Sequence, residues 1–363
     1  MHYFDGGLFL CMCSSAGPSR IRCWGILQWT LPALLQRTTP LSLRSGAGRG
    51  ISPKDLVWVA GEALIDLLPP RSPGETGVAA VGGGAANTAK CLAQLGVPTM
   101  FIGGLSTADP YGKLIEDDLS SAGVMLDRAH RAPMGTCLAK VAFDEAGRAT
   151  YEFKIERTAT FDFKDEWLPS PTNPPSLLHT GTLATIIEPG ASVLHHWAQR
   201  LQGEGVPIIY DPNVRPAVMS QRDEYVRSIE KWVSLANVVK ASEEDLHWLY
   251  PDVTATNVAL DWVRRGSSLV VVTKGDCGLM ACTSRGTFVE VPAVEVNVAD
   301  TVGAGDTVGA VLCEAAALHG LAKLVSDEAT LRSTLNRAAF AAAITCSRVG
   351  CKPPTLDDLA KAI

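Results

Sequence analysis

The sequence predicts an α/β fold in which a mainly parallel central sheet is covered by helices on both faces. Three observations support this class. Short apolar runs alternate with helical stretches from Asp55 onward, glycines or polar residues flank the runs, and 47% of the 363 residues are apolar, enough for a large core. Strands buried on both faces have such continuous apolar runs, and strand–helix alternation is typical of parallel sheets. The length fits two domains, or one large domain with a small appendage.

The elements follow one another in a regular order. The predicted strands are residues 56–60, 99–102, 177–178, 207–210, 237–239 and 269–273. The predicted helices are residues 85–95, 193–202, 225–235 and 308–319.

One segment departs from this alternation. Residues 136–143 and 148–155 are strand-like and are joined by a turn at 144–147, which predicts an antiparallel hairpin. Together with the Pro- and Gly-rich stretch 67–81, the hairpin is expected to form a small sheet apart from the main one. We therefore expect a small β lid built from about residues 67–81 and 134–163.

Composition excludes several classes of protein. The formal net charge is −6 and only 19% of residues are charged, so a nucleic-acid partner is not expected. No apolar run approaches the roughly 20 residues that span a bilayer, so no membrane partner is expected either. The ten cysteines are scattered without a CxxC pair, which gives no support to a disulfide or zinc framework.

The first fifty residues differ in kind from the rest. Their only acid is Asp5, they contain arginines but no lysine, and Ser and Thr are frequent. Organellar transit peptides have this composition, and a disordered tail or an overlong start is the alternative. We expect residues 1–52 to be an extension outside the fold, with the folded domain at 53–363. The location would be a plastid or mitochondrion for a transit peptide and the cytoplasm otherwise.

The stretch 300–307 reads DTVGAGDT and leads into an alanine-rich helix. Its glycines and alanine let backbone amides approach an anion, and the helix start adds about half a positive charge. Asp306 would lie beside that anion. This arrangement suits phosphoryl transfer, because the carboxylate can take a proton from a hydroxyl while the amides stabilise the phosphoryl charge. A glycine-rich turn with Asp306 as N-cap is the alternative, and it leaves Asp300 unexplained.

This stretch resembles the C-terminal signature DTxGAGD of the pfkB (ribokinase-like) carbohydrate kinases. Other segments resemble family motifs in the right order: GEALID at 61–66, VGGGAAN at 81–87, DPNVRP at 211–216, TKGDCG at 273–278 and the tail 338–354. The similarity covers about residues 55–360, and among the subfamilies the chain looks most like bacterial-type fructokinases. The resemblance implies a ribokinase-like three-layer α/β/α sandwich that transfers the γ-phosphate of ATP to a primary hydroxyl of a sugar, with fructose expected first.

The resemblance also implies roles for single residues. The catalytic ones are Asp306 as general base, with Gly303, Ala304 and Gly305 as the anion-binding turn. The sugar-binding ones are Asp66, Gly83, Asn87 and Glu156. The nucleotide-binding ones are Thr273, Gly275 and Gly278.

Several of these roles have structural alternatives. The alternative for Asp66 is a strand-end cap, and the alternative for Asn87 is an ordinary helix N-terminal residue. Glu156 could be a solvated strand end, because Arg157 stands where the fructokinase pattern usually has glycine.

The expected cofactor is Mg²⁺, with K⁺ as a further candidate. The family's Asn-x-x-Glu motif, tied to magnesium and phosphate, appears here as SEED at 242–245, so the acid is shortened to Asp245. Because magnesium tends to keep its waters, Asp245 can act through water, and Glu243 and Glu244 are equally explained as a solvated helix start. The cation that activates some relatives uses mostly backbone oxygens around Asp300, which the sequence does not settle.

Rival functions stay open at this point. They are a ribose, nucleoside or 2-keto-3-deoxygluconate kinase, the last needing a cation such as Arg157, and a catalytically silent structural or regulatory subunit. Retention of Asp306 and the GAG turn argues against the silent relative. The partners expected are the sugar, ATP and a second copy of the chain, joined through the lid.

Overall fold

An eight-stranded sheet forms the centre of this computed structural model, which describes residues 55–69, 77–143 and 149–361. Its strands in chain order are β1 (Val57–Ala60), β4 (Thr99–Ile102), β9 (Leu177–Gly181), β10 (Ile208–Asp211), β11 (Val238–Ser242), β12 (Leu269–Thr273), β13 (Leu279–Thr283) and β14 (Phe288–Val291). The smaller sheets contain β2 (Leu64–Leu68), β3 (Val78–Gly82), β5 (Gly104–Ser106), β6 (His130–Ala132), β7 (Leu138–Phe143) and β8 (Ala149–Lys154).

The central sheet is mainly parallel. Its spatial order is β14-β13-β12-β11-β10-β9-β1-β4. The strands from β12 to β4 pair in parallel, and β13 and β14 add an antiparallel hairpin at one edge. The sequence did not predict this hairpin.

Helices cover both faces of the sheet. They are α1 (Gly84–Gln94), α2 (Pro110–Ser121), α3 (Gly190–Gly203), α4 (Arg222–Leu235), α5 (Glu243–Leu249), α6 (Ala255–Arg264), α7 (Ala304–His319), α8 (Leu321–Ser326), α9 (Glu328–Cys346) and α10 (Leu356–Lys361). Among the described residues, no helix combines the length and apolar character that crossing a membrane requires.

Two hydrophobic cores lie on opposite faces of the sheet. Side chains alternate along β1, so that Val57 and Val59 pack with α1, α2 and α7–α10, while Trp58 and Ala60 pack with α3–α6. Burial on both faces explains why these strands read as continuous apolar runs. The predicted α/β/α sandwich is therefore confirmed.

A separate sheet of order β3-β2-β7-β8 forms the lid. β7 and β8 pair antiparallel, and β2 joins them in parallel through β7. The lid sheet begins at Leu64, three residues before the expected 67–81 stretch, so Asp66 lies within a lid strand. The predicted turn at 144–147, residues 70–76 of the lid and the extension 1–52 lie outside the described residues.

The predicted elements match the observed ones closely. The strands at 99–102 and 269–273 have the predicted bounds, and the other four predicted strands differ by one to three residues at an end. Helices α1, α3, α4 and α7 correspond to the four predicted helices, and α7 begins four residues earlier than expected.

Candidate active site

Polar residues gather where the parallel strands end. β10 ends at Asp211, β11 runs through Lys240 to Ser242, and β12 ends at Thr273. The N-terminal ends of α1 and α7 meet at the same edge, where Asn87 of α1 is hydrogen-bonded to Asp306 of α7. The carboxyl edge of an open α/β sheet is where such folds bind ligands, so the site is built at this edge.

The central contact joins Asn87 to Asp306. The Asn87 amide donates from Nδ2 to Oδ2 of Asp306 over 2.8 Å, and both side chains are buried. The N-cap of α7 is Gly303, so Asp306 lies in the first helical turn and its carboxylate is not the cap. The turn-and-cap alternative for Asp306 is therefore wrong.

Burial, together with charged neighbours, determines the protonation of Asp306. Burial raises its pKa to about 6, and the nearby carboxylate of Asp211 adds to the rise. The cations of Lys240 and Arg215 and the hydrogen bond from Asn87 oppose it. Asp306 is thus mainly ionised at neutral pH, yet its proton affinity is higher than that of an exposed aspartate.

The glycines of the GAG turn are packed tightly from behind. Gly303 has a left-handed φ of 82°, and a Cβ there would collide with the Cys351 side chain. A Cβ on Gly305 would lie 2.9 Å from Nζ of Lys240. The left-handed φ and the Cys351 contact therefore restrict Gly303 to glycine, whereas a side chain at Gly305 would press against the Lys240 ammonium.

Asp300 anchors the turn to the C-terminal tail. Its Oδ2 accepts the amide of Gly350 at 2.9 Å, and its Oδ1 accepts the amide of Val302 at 3.1 Å. The amides of Ala299 and Asp300 also donate to the carbonyl of Cys346. Asp300 thus shapes the loop that precedes Asp306, which explains the paired acid in the motif.

The predicted sugar residues come from both the lid and α1. Asp66 lies in the middle of β2, not at a strand end. Burial raises its pKa to about 6 and the Arg215 guanidinium opposes the rise, so Arg215 acts on both Asp66 and Asp306. Gly83 is the N-cap of α1 with φ 100°, and a Cβ there would lie 2.7 Å from the carbonyl oxygen of Glu62.

Asn87 has an orphan acceptor. While Nδ2 is bonded to Asp306, Oδ1 is buried and has no hydrogen-bond partner in the described structure. A buried acceptor without a partner costs free energy, so a hydroxyl-bearing ligand would satisfy it. This orphan oxygen distinguishes Asn87 from an ordinary residue of a helix start.

Glu156 stands apart from this cluster. It is exposed, follows the lid hairpin and lines a groove of about 900 Å³ together with Arg157, Ile187 and Met219. Within the described residues, no hydrogen bond or ion pair joins Glu156 to Asp66, Asn87 or Asp306. Its predicted contact with the sugar stays a prediction.

The predicted nucleotide residues form a turn at the end of β12. Thr273 lies opposite Ser242 in the strand pairing, which places the turn next to α5. Gly275 has φ 55° with open space where a Cβ would stand, whereas Gly278 packs against the backbone around Val291. Gly275 is thus accessible to a ligand, and Gly278 is restricted by packing.

Asp245 is largely committed to backbone contacts. Its Oδ1 accepts the amide of Val214 at 2.9 Å, its Oδ2 accepts the amide of Ser242 at 3.0 Å, and with Ser242 it forms the capping box of α5. Each oxygen keeps a second lone pair, so contact with a metal-bound water fits the donor set. No group of three or more His, Cys, Asp or Glu side chains is arranged to hold a metal in the part of the chain that the structure describes.

Two buried ionisable residues near this edge, Lys240 and Glu62, were not identified from the sequence. Lys240 is paired with Asp211 at 2.7 Å, and Glu62 accepts amides from Gly84 at 3.0 Å and Ala184 at 3.2 Å. Both residues interrupt apolar stretches, at 238–242 and 57–65, and a charge in a buried strand pattern is the signal that marks them.

Comparisons with known proteins agree with this geometry. Residues 54–358 match the model of the pfkB family carbohydrate kinase. A fructokinase of Rhizobium leguminosarum bv. trifolii is 34% identical over 254 residues, which are 69% of this chain and 77% of the relative.

Solved structures give the same result. A fructokinase from Xylella fastidiosa with bound ATP has a TM-score of 0.78 at 28% identity, covering 85% of this chain and 98% of that one. A fructokinase double mutant from Vibrio cholerae O395, with fructose, ADP and potassium ion bound, has a TM-score of 0.73 at 25% identity, covering 86% of this chain and 96% of that one.

Proposed function

Since the chain belongs to the pfkB family of carbohydrate kinases, we propose that this ATP-dependent kinase transfers the γ-phosphate to a primary hydroxyl of fructose, with Asp306 as general base. The observation that carries the proposal is the buried contact of Asn87 with Asp306 at the start of α7. Its support on the substrate side is the likeness to fructokinases, among which the Vibrio cholerae structure holds fructose and ADP.

The arrangement suits removal of a proton from a hydroxyl. Because Asn87 holds Oδ2 of Asp306, the carboxylate has a fixed orientation and Oδ1 can accept the proton. The amides at the start of α7, following Gly303, face the developing phosphoryl charge. The base and the anion site thus lie within one helical turn.

The polar groups on the sugar side suit a polyol. Asp66 offers carboxylate oxygens from the lid, and Asn87 offers its orphan Oδ1. Two such acceptors can pair with neighbouring hydroxyls of a ketohexose, and an analogue without those hydroxyls would leave them unpaired. Among the other predicted residues, Glu156 is the weakest candidate because it is exposed.

We expect Mg²⁺ to accompany ATP. Phosphate oxygens and retained waters would coordinate it, Asp245 would contact one of those waters, and the ion would neutralise phosphate charge. K⁺ stays a candidate at the Asp300 loop, and the Vibrio cholerae relative was crystallised in a potassium-bound form.

Sugar phosphorylation is expected to weaken in mild acid. Because the pKa of Asp306 is raised to about 6, the carboxyl is protonated below that pH and can no longer accept the substrate proton. We therefore expect kcat/KM to fall by about tenfold per pH unit below about pH 6. A profile from about pH 4.5 to 8, with the melting temperature followed in parallel, measures this. Constant kcat/KM down to pH 5 in folded protein would contradict the assignment.

The substrate is tested by ADP release across a panel. We expect fructose to have a kcat/KM at least about tenfold above ribose, adenosine and 2-keto-3-deoxygluconate, which corresponds to about 1.4 kcal/mol of transition-state binding. The reason is the pairing of its hydroxyls with Asp66 and Asn87. If another compound of the panel exceeds fructose, the substrate is wrong and the kinase assignment stands. No turnover with any of them would favour the catalytically silent relative.

A further inference from the structure

Lys240 is a buried cation that has no role in the reaction proposed above. It lies on β11, is 3% exposed, and its Nζ is 2.7 Å from Oδ2 of Asp211 at the end of β10. Both partners of this ion pair are almost completely buried. Burying two charges is costly, so such a pair is weak evidence for stability by itself.

The ammonium of Lys240 lies against the turn that contains Gly305. Nζ of Lys240 lies where a Cβ of Gly305 would come within 2.9 Å, directly behind the turn that leads into α7. The next residue is Asp306. The ammonium therefore packs against the backbone that carries both the amides and the base.

Several titratable groups face Lys240. They are Asp211 from β10, Asp306 from α7, Asp245 from α5 and His179 from β9. Burial keeps His179 neutral by lowering its pKa to about 3, and Lys240 adds to that effect. Lys240 thus stands among three carboxylates as their common counter-ion.

We propose that Lys240 is a positioning residue for phosphoryl transfer, whose ammonium, anchored by Asp211, supports the Gly305 turn and sets the charge felt by Asp306. This inference rests on the proposed role of Asp306. It assigns Lys240 no contact with the sugar or with ATP. Lys240 acts through the turn and through the carboxylate of Asp306.

Removing either charge of the Lys240–Asp211 pair should shift the pKa of Asp306, in opposite directions. In Lys240→Met the unpaired Asp211 carboxylate faces Asp306, so the pKa of Asp306 rises. In Asp211→Asn the unpaired ammonium faces Asp306, so that pKa falls. Because opposite charges at this range act with opposite sign, each shift is expected to be about one pH unit. A merely structural role would not move the two variants in opposite directions.

The experiment titrates Asp306 by ¹³C carboxylate NMR in the full chain, with Asp306→Asn identifying the resonance. The expected result is a shift to higher pH in Lys240→Met and to lower pH in Asp211→Asn. The kcat of Lys240→Met is expected to fall about tenfold or more. The double variant Asp211→Asn/Lys240→Met removes both charges of the pair, so their opposite effects on Asp306 should largely cancel, and it is expected to fold and to titrate close to the wild type.

A second ion pair, between the half-buried Arg337 of α9 and the buried Glu314 of α7, provides the control. Arg337 contacts Glu314 through two hydrogen bonds of 2.7 and 2.8 Å, eight residues or about 12 Å along α7 from Asp306. Arg337→Met should lower the melting temperature and leave the Asp306 titration unchanged.

The outcomes separate the two proposals. An Asp306 resonance that does not move in opposite senses in the two single variants, or an unchanged kcat in Lys240→Met, overturns the role of Lys240. The titration requires no substrate. Failure of the wild type to phosphorylate fructose would overturn the proposed substrate and leave the Lys240 result to be decided by NMR.

Discussion

Asp306→Asn is expected to lower kcat by a factor of about 10² or more, the usual scale for the loss of a positioned base. The substitution keeps the shape of the side chain but removes its capacity to accept the substrate proton. Asp306 is buried near the Asp211 carboxylate, so its charge is unfavourable in the folded state, and the neutral variant should keep or raise the melting temperature at pH 7. Steady-state kinetics and thermal unfolding with and without ATP measure both effects.

Asp327→Asn is the matched control for this variant. Asp327 caps α9, and asparagine is a comparable N-cap, so turnover should stay at the wild-type value, while the melting temperature should fall only slightly, through loss of the charge at the helix start. If Asp306→Asn retains most of its turnover, Asp306 is not the general base.

Gly305→Val is expected to lower kcat by about 10²-fold. The new Cβ would point at Nζ of Lys240, 2.9 Å away. Either the turn or the ammonium must move, and a displacement of about 1 Å near the reacting groups is sufficient for such a loss. Among the described residues, and apart from its own helix and chain neighbours, only Nζ and Cε of Lys240 lie within 4 Å of that Cβ, so the melting temperature should fall much less than turnover. Parallel measurement of kcat and thermal unfolding tests this difference.

Gly309→Ala tests whether a methyl group added elsewhere on α7 would also lower kcat. A Cβ at Gly309 has His179 Nε2 at 3.4 Å as its nearest neighbour, close to ordinary contact, and alanine favours a helix interior over glycine. We expect unchanged turnover and equal or higher stability. Proportional losses of kcat and stability in Gly305→Val would mean that Gly305 is needed only for the fold of the turn.

Local patterns were sufficient for most of the secondary structure. A strand buried on both faces must be apolar along its whole length, as residues 269–273 are, and its partners need not be known. The same holds for the GAG turn, because a helix that follows closely spaced glycines offers free amides wherever it lies in the fold. The motif at 300–307 therefore indicated an anion site with Asp306 in the first helical turn.

The sequence was less informative about which sheet a strand joins and which strands form the edge of the central sheet. The strand β2 follows β1 after only three residues, yet it belongs to the lid sheet, where it pairs with β3 and β7. The pattern of residues 57–68 does not indicate that change, because both strands are short and, apart from Asp66, apolar. Local propensity also does not determine that β13 and β14 pair antiparallel at the edge of the sheet, because that pairing depends on which strand lies beside them in the fold.

The sequence alone therefore predicted the layered α/β class, which the structure confirms, and it pointed to the turn at 303–305 as a candidate anion site and to Asp306 as the candidate base, since each depends on residues adjacent along the chain. Folding decided the partners. Asn87 meets Asp306 across 219 residues, and Lys240 meets Asp211 across 29. Such contacts are selected by how α1, α7 and the strands pack, so the orphan oxygen of Asn87 and the ammonium behind Gly305 became visible only in three dimensions. Burial makes the interactions of these polar groups strong. A charge removed from water is stable only if neighbouring groups in the packed structure compensate for its lost hydration.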